Sequence, residues 1–128
     1  MALTALDLSP EELKKYRPLE AIRKRRVETR VEVAKRRRRA MSAARKAAKL
    51  LKEKFGAKEV ILFGSLARRG SFTLYSDIDL AERGISDDYL TAMDTVLHMS
   101  PEFKIDLVDL AFCLPALGTE VEKEGKPL

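Results

Sequence analysis

Asp77 and Asp79 stand two residues apart in Ser76-Asp77-Ile78-Asp79-Leu80-Ala81, where acidic and apolar residues alternate. On a strand, side chains two apart share a face, with Cβ atoms about 6–7 Å from each other. Two carboxylates that close raise each other's pKa unless positive charge sits between them. Magnesium supplies such a charge, because it is small and hard and binds one or two carboxylates together with substrate phosphates. The blander alternative is an amphipathic edge strand that shows its acids to water. What surrounds the pair argues against it.

Upstream, Leu62-Phe63-Gly64-Ser65-Leu66-Ala67-Arg68-Arg69-Gly70 reads as a strand running into Gly-Ser and a short helical turn. Gly64 permits close backbone approach, and the Ser65 hydroxyl with the following N–H groups can cradle phosphate oxygens. Arg68 and Arg69, one turn on, are placed to offset further phosphate charge. Taken alone, Gly-Ser is no more than an ordinary strand-to-helix turn. Downstream, Lys104-Ile105-Asp106-Leu107-Val108-Asp109-Leu110 reads as a strand on which Asp106 and Asp109 fall on opposite faces. Asp106 lies mid-strand between apolar neighbours, where a carboxylate is costly unless paired or bound to metal. Asp109, near the strand end, suits solvation or capping. Asp106 is therefore the third carboxylate of the candidate site.

The elements that hold these residues follow from punctuation and period. Ser9-Pro10-Glu11-Glu12 carries a capping box with proline in the first turn, which predicts a short helix from about Pro10 to Arg17, ended by Pro18. From Leu19 to Phe55 there is neither proline nor glycine, which predicts one long helix closed by Gly56. Ala40, Met41, Ala44, Ala47, Ala48, Leu51 and Phe55 recur at spacings of three and four, a stripe fit to pack on a sheet. Ile22, Val27, Val31 and Ala34 are sparse among arginines, so the first half of this helix is expected to reach into solvent. Glu59–Phe63 is a near-continuous apolar run, as in a buried strand. An amphipathic helix is expected between Ser86 and Pro101, and a last helix from about Leu114 to Lys123. The whole reads as an α/β (α+β) chain: one small sheet with helices against it, no internal repeat, and Arg36–Arg39 as its one low-complexity patch.

Charge divides the chain. Residues 21–54 hold 15 Lys/Arg against 3 Glu, whereas residues 55–128 hold 7 Lys/Arg against 13 Asp/Glu. Residues 1–39 are accordingly expected to form a helical, Arg-rich extension, and residues 40–128 the domain that carries the site. Arg23–Arg26 and Lys35–Arg39 could meet nucleic-acid phosphates in a salt-sensitive way, serve as a handle for an acidic partner, or merely be a solvated face. No aromatic residue in 21–54 precedes Phe55 to stack on single-stranded bases. The single cysteine, Cys113, cannot close an intrachain disulfide, and no Cys/His spacing suggests zinc. No window is apolar enough to span a membrane, and Met1-Ala2-Leu3-Thr4 does not begin a secretory signal, so a cytoplasmic location is expected. His98 reads as a surface histidine, Cys113 as a buried apolar residue, and Tyr16 and Tyr89 stand outside any motif. Tyr75 could line a nucleotide pocket, though simple packing accounts for it as well.

Together, Leu62-Phe63-Gly64-Ser65-Leu66-Ala67-Arg68, Ser76-Asp77-Ile78-Asp79-Leu80 and Ile105-Asp106-Leu107-Val108 resemble the minimal nucleotidyltransferase (MNT) family of the polymerase β-like superfamily. The resemblance covers roughly residues 40–128 and extends to Glu124-Gly125; the Leu66–Ser76 stretch is one residue longer than the family pattern, which points to a longer loop at Gly70–Thr73. It implies the polymerase β-like fold, with a small mixed sheet. It also implies transfer of a nucleoside monophosphate from ATP or another triphosphate to a hydroxyl, with release of pyrophosphate. Gly64 and Ser65 would hold phosphates with Arg68 and Arg69 nearby. Asp77 and Asp79 would hold two Mg²⁺ ions, and Asp106 would bind the catalytic ion and help deprotonate the hydroxyl. Small stand-alone members resemble antitoxins that add AMP to a tyrosine of a HEPN-type RNase toxin encoded nearby. Such a partner, a hetero-complex or oligomer, and incidental nucleic-acid contact through Arg23–Arg39 are thus the expected associations. A scaffold that binds its partner without catalysis is the alternative.

Overall fold

The computed structural model describes residues 18–128, and the helix expected over Pro10–Arg17, with Tyr16, lies outside them. The chain falls into two compact units, divided between Glu32 and Val33. Helix α1 (Pro18–Phe55) matches the uninterrupted stretch between Pro18 and Gly56. Gly56 takes φ 74°, which favours glycine, and the next N–H, of Ala57, turns back to Leu51 O at 3.0 Å. In the first unit the apolar residues Leu19, Ile22, Val27 and Val31 are exposed, as are Arg23–Arg26 and Arg30.

In the second unit, α1 is followed by β1 (Glu59–Phe63), β2 (Ile78–Arg83), α2 (Tyr89–Leu97), β3 (Ile105–Asp109), α3 (Pro115–Glu124) and the two-residue β4 (Lys126–Pro127). The strands form one sheet in the order β3-β2-β1-β4. β2 runs antiparallel to β1 and parallel to β3, so the sheet is mixed, and α2 makes the crossover that parallel strands require. β4 was not foreseen; it pairs Pro127 with Ile61 and Lys126 with Leu62, and Leu128 N–H adds a bond to Val60 O at 2.9 Å.

Strand alternation gives the sheet two apolar faces. Val60, Leu62, Ile78, Leu80, Ile105 and Leu107 share the larger core with Ala40, Ala44, Ala47, Ala48 and Leu51 of α1 and with Ala92 and Val96 of α2. The alanines of α1, with Leu51, are the face of that helix that is buried in this core. Ile61, Phe63 and Ala81 form the opposite face, on which Val121 of α3 is buried. α3 is the only helix contributing to that smaller cluster among the described residues, so one end of the face is left for polar side chains.

Residues before Ala40 already make contacts within the second unit. Val33 packs against the larger core, and Arg36, Arg37 and Arg39 bond to the body. A run of arginines reads as solvated by composition, but three of these four reach partners far along the chain. The helix expected from Ser86 begins only at Tyr89, after Asp88. No described helix is long and apolar enough to cross a membrane.

Candidate active site

The acidic face is set by strand register. Antiparallel pairing puts Phe63 opposite Asp79, and parallel pairing puts Asp79 beside Asp106. Paired residues on neighbouring strands project to one side, so Asp79 and Asp106 stand side by side, a strand spacing of about 4.8 Å apart. Ile78 and Leu80, fully buried on the other face, lock that orientation. Asp77 precedes β2, two residues from Asp79, and is exposed; Asp79 and Asp106 are half-buried. Asp109, as expected, caps, with its Oδ1 accepting the Ala111 N–H at 2.9 Å.

Electrostatics mark Asp79 as the centre of the cluster. Burial pushes its carboxyl above the ordinary carboxylate range, and Asp106, Asp77 and Glu120 push it further, while Lys104 pulls it back. Lys104 Nζ lies 3.7 Å from Asp106 Oδ1, a single ammonium set against a group of carboxylates. Glu120 was missed in the sequence. It belongs to α3, and only the packing of the adjacent Val121 onto the sheet brings it into the field of Asp79.

The Gly-Ser turn faces this cluster directly. Gly64 has φ 73°, and a Cβ built there would collide with the Asp79 carboxylate. The chain thus passes so close to Asp79 that only glycine fits. The N–H groups of Ala67 and Arg68 both turn back to Gly64 O at 3.2 Å, closing the turn. Among the described residues, no backbone or side-chain acceptor takes the N–H of Ser65 or Leu66. Amides without a protein acceptor beside a left-handed glycine are the kind of donors that anion-binding nests use. Arg68 and Arg69 are exposed one turn on, with Arg68 Nε 3.7 Å from Glu124 Oε2.

No three acidic, histidine or cysteine groups among the described residues enclose a preformed metal cage. The donor set nonetheless suits magnesium. It consists of hard carboxylate oxygens with too little positive charge among them, and Mg²⁺ normally completes its shell with water and phosphate.

The arginine run supplies a support that the sequence did not disclose. Arg36 Nη2 donates to Ser76 O at 3.1 Å, and its guanidinium carbon lies 4.5 Å from the Phe103 ring centre and 5.8 Å from that of Phe72. Arg39 grips Glu102 through Nε and Nη2, at 2.7–3.0 Å. Arg37 Nη2 reaches Leu66 O at 3.5 Å. No local signal marks these contacts, because Phe72, Ser76 and Phe103 are remote in sequence.

A model of the nucleotidyltransferase domain matches residues 44–89, which include the Gly-Ser turn and the first two aspartates. No curated protein matches the chain by sequence. Among solved structures, a mutant MntA–HepT toxin–antitoxin complex contains a chain 30% identical over 66% of this chain and 69% of its own, with TM-score 0.54. The chain belongs to the minimal nucleotidyltransferase family. A toxin–antitoxin structure with AMP-PNP is 27% identical over 66% of this chain and 70% of that one, at TM-score 0.56. An MNT antitoxin in complex with a tri-AMPylated HEPN toxin of Shewanella oneidensis is 26% identical over 69% and 70%, at TM-score 0.52. The mixed sheet and its flanking helices are the polymerase β-like nucleotidyltransferase fold, and the protein is a nucleotidyltransferase.

In this nucleotidyltransferase the other singled-out residues resolve simply. His98 is exposed, and its Nδ1 lies 3.0 Å from Asp94 O. Cys113 is half-buried rather than buried. Tyr89 is tied to the core by its hydroxyl, which donates to Leu107 O at 2.6 Å. Tyr75 does not pack at all; it is 91% exposed, two residues from Asp77.

Proposed function

We propose that this nucleotidyltransferase is a Mg²⁺-dependent protein adenylyltransferase acting as an antitoxin. It moves AMP from ATP to a hydroxyl, a tyrosine, of a HEPN-type RNase toxin encoded beside it. The observation that supports this best is the pairing of Asp79 with Asp106 at the Gly64 turn. Structures similar to this chain hold AMP-PNP in one case and a tri-AMPylated HEPN toxin in another.

In this reading Gly64 and Ser65 hold the terminal phosphates of ATP through backbone N–H groups, with Arg68 and Arg69 offsetting remaining charge. Asp77, Asp79 and Asp106 hold two Mg²⁺ ions, which would supply charge neutralisation on the attacking and leaving oxygens of an in-line displacement. Asp106 helps to take the proton of the incoming hydroxyl. The hydroxyl oxygen bonds to the α-phosphorus, the bond from that phosphorus to the bridging oxygen breaks, and pyrophosphate leaves. The partner and the enzyme meet in the cytoplasm, and Arg23–Arg26 provide an electrostatic handle for association. Nucleic-acid contact through Arg23–Arg39 is incidental.

Purified protein is incubated with Mg²⁺, α-labelled ATP and the product of the neighbouring gene. Label on a tyrosine of that product is the expected result. A labelled nucleic acid, or no labelled partner, counts against the reading.

A further inference from the structure

We propose that Arg36 is a positioning residue of the candidate site: by holding the Ser76 carbonyl from an anchorage on Phe103 and Glu102, it fixes Asp77 and Asp79 relative to Asp106. The proposal rests on the metal-dependent transferase reading above. It takes one arginine out of a basic run and gives it a task that charge alone does not suggest.

Arg36 sits in α1, and its side chain is only 16% exposed. One end of the guanidinium meets Ser76 O, the last carbonyl before Asp77. The other end lies 3.8 Å from Glu102 Oε1, and the plane rests on Phe103, which shortly precedes β3 and Asp106. Phe72, from the loop leading toward Asp77, has its ring centre 5.8 Å from the guanidinium carbon. The segment that leads to Asp77 and Asp79 and the segment that leads to Asp106 are therefore joined through one planar, multivalent group. Arg39 reinforces the joint from the next turn of α1, since it grips the same Glu102.

Packing does not explain the choice of residue. Among the described residues Arg36 Nε is buried without an acceptor, and a buried donor left unpaired is costly. Methionine or leucine would pack beside Phe103 and Phe72 without that cost. What neither could do is direct a hydrogen bond at Ser76 O while facing Glu102. Residues that orient metal ligands from behind often change metal affinity about 10- to 100-fold when replaced.

Arg36→Met, Arg36→Lys and, as a control, Arg38→Met on an exposed side chain are compared in the full chain. The readout is Mn²⁺ affinity in the presence of AMP-PNP, followed by the paramagnetic signal of free Mn²⁺, beside the thermal melt. Arg36→Met is expected to weaken Mn²⁺ binding about 10- to 100-fold. Arg36→Lys restores part of it, and Arg38→Met binds as the wild type does. Mn²⁺ affinity within twofold of wild type in Arg36→Met overturns the proposal, as does an equal loss in Arg38→Met. If Arg36→Met does not fold, Glu102→Gln keeps the stacking but loosens the guanidinium; it is expected to weaken Mn²⁺ binding in the same direction, and unchanged binding overturns the proposal. A wild-type chain that binds Mn²⁺ normally yet transfers no AMP contradicts the transferase reading and not the role of Arg36.

Discussion

Asp79 and Asp106 occupy paired positions on neighbouring parallel strands, so a single register brings together carboxylates from two distant segments of the chain. Gly64 stands over the first of them, close enough that any side chain there would strike its carboxylate. The site is thus fixed by backbone pairing more than by side-chain contacts. Several consequences can be measured.

Gly64→Ala places a side chain at a positive φ and against Asp79. The backbone strain alone costs about 1–2 kcal/mol, and transfer should be lost because the turn must move. Truncating the obstruction in Gly64→Ala/Asp79→Ala should recover part of the stability but no activity. A double-mutant cycle on thermal melts checks this; strict additivity would show that the two positions do not touch.

The alanine face of α1 is buried in the larger core. Ala44 is fully buried there, so Ala44→Leu should overpack the larger core and cost about 1–3 kcal/mol. Leu51→Ala, at the same face, should cost about 2–5 kcal/mol by leaving a cavity. Chemical denaturation of the two variants distinguishes a close-packed face from a loose one, which would tolerate Ala44→Leu.

Glu82 is buried at 0% exposure beneath the loop after β2. Its Oε2 accepts the Ile85 N–H at 3.0 Å, while Oε1 has no partner among the described residues. Burial raises its carboxyl above the ordinary range and nearby Asp109 adds to this, although the Ile85 hydrogen bond opposes them. The folded state therefore holds this proton more tightly than the unfolded chain does. Its contribution favours folding below the ordinary glutamate value and is lost as pH rises through the raised one. Glu82→Gln should flatten that part of the stability profile, as denaturation midpoints between mildly acidic and neutral pH would show. An unchanged slope would mean that Glu82 does not titrate in this window.

The exposed basic residues of the first unit should act on encounter rather than on chemistry. Replacing Arg23, Lys24, Arg25 and Arg26 with glutamine should leave the melt unchanged and slow association with the partner at low salt. The dissociation rate should stay the same. Stopped-flow or surface-binding kinetics at two ionic strengths test this, and an effect on dissociation alone would argue against steering.

Much of this architecture was legible because local rules and global packing agree. The gap in proline and glycine from Leu19 to Phe55 marked α1. The alternation through Asp77-Ile78-Asp79-Leu80 marked a strand with one acidic face, and the opposed faces of Asp106 and Asp109 separated the residue paired with Asp79 from a cap. What stayed hidden depends on long-range pairing. β4 is two residues, one of them proline, and exists only because β1 offers a free edge. Glu120 looks like any exposed helical acid until Val121 docks. Arg36 and Arg39 carried the charge pattern of a solvated arm, and their partners Ser76 and Glu102 lie far along the chain. Tyr75 was read toward packing, but its ring stands exposed in the loop before the acidic strand.

The most direct test of the whole account is the rate of AMP transfer by Asp79→Asn, measured beside wild type with saturating Mg²⁺ and ATP. Removing one carboxylate from a cluster of like charges should leave the melt intact, while transfer falls roughly a thousandfold, equivalent to about 4 kcal/mol of transition-state stabilisation. A folded Asp79→Asn protein that transfers AMP as fast as wild type would contradict the assignment of this acidic face as the catalytic centre.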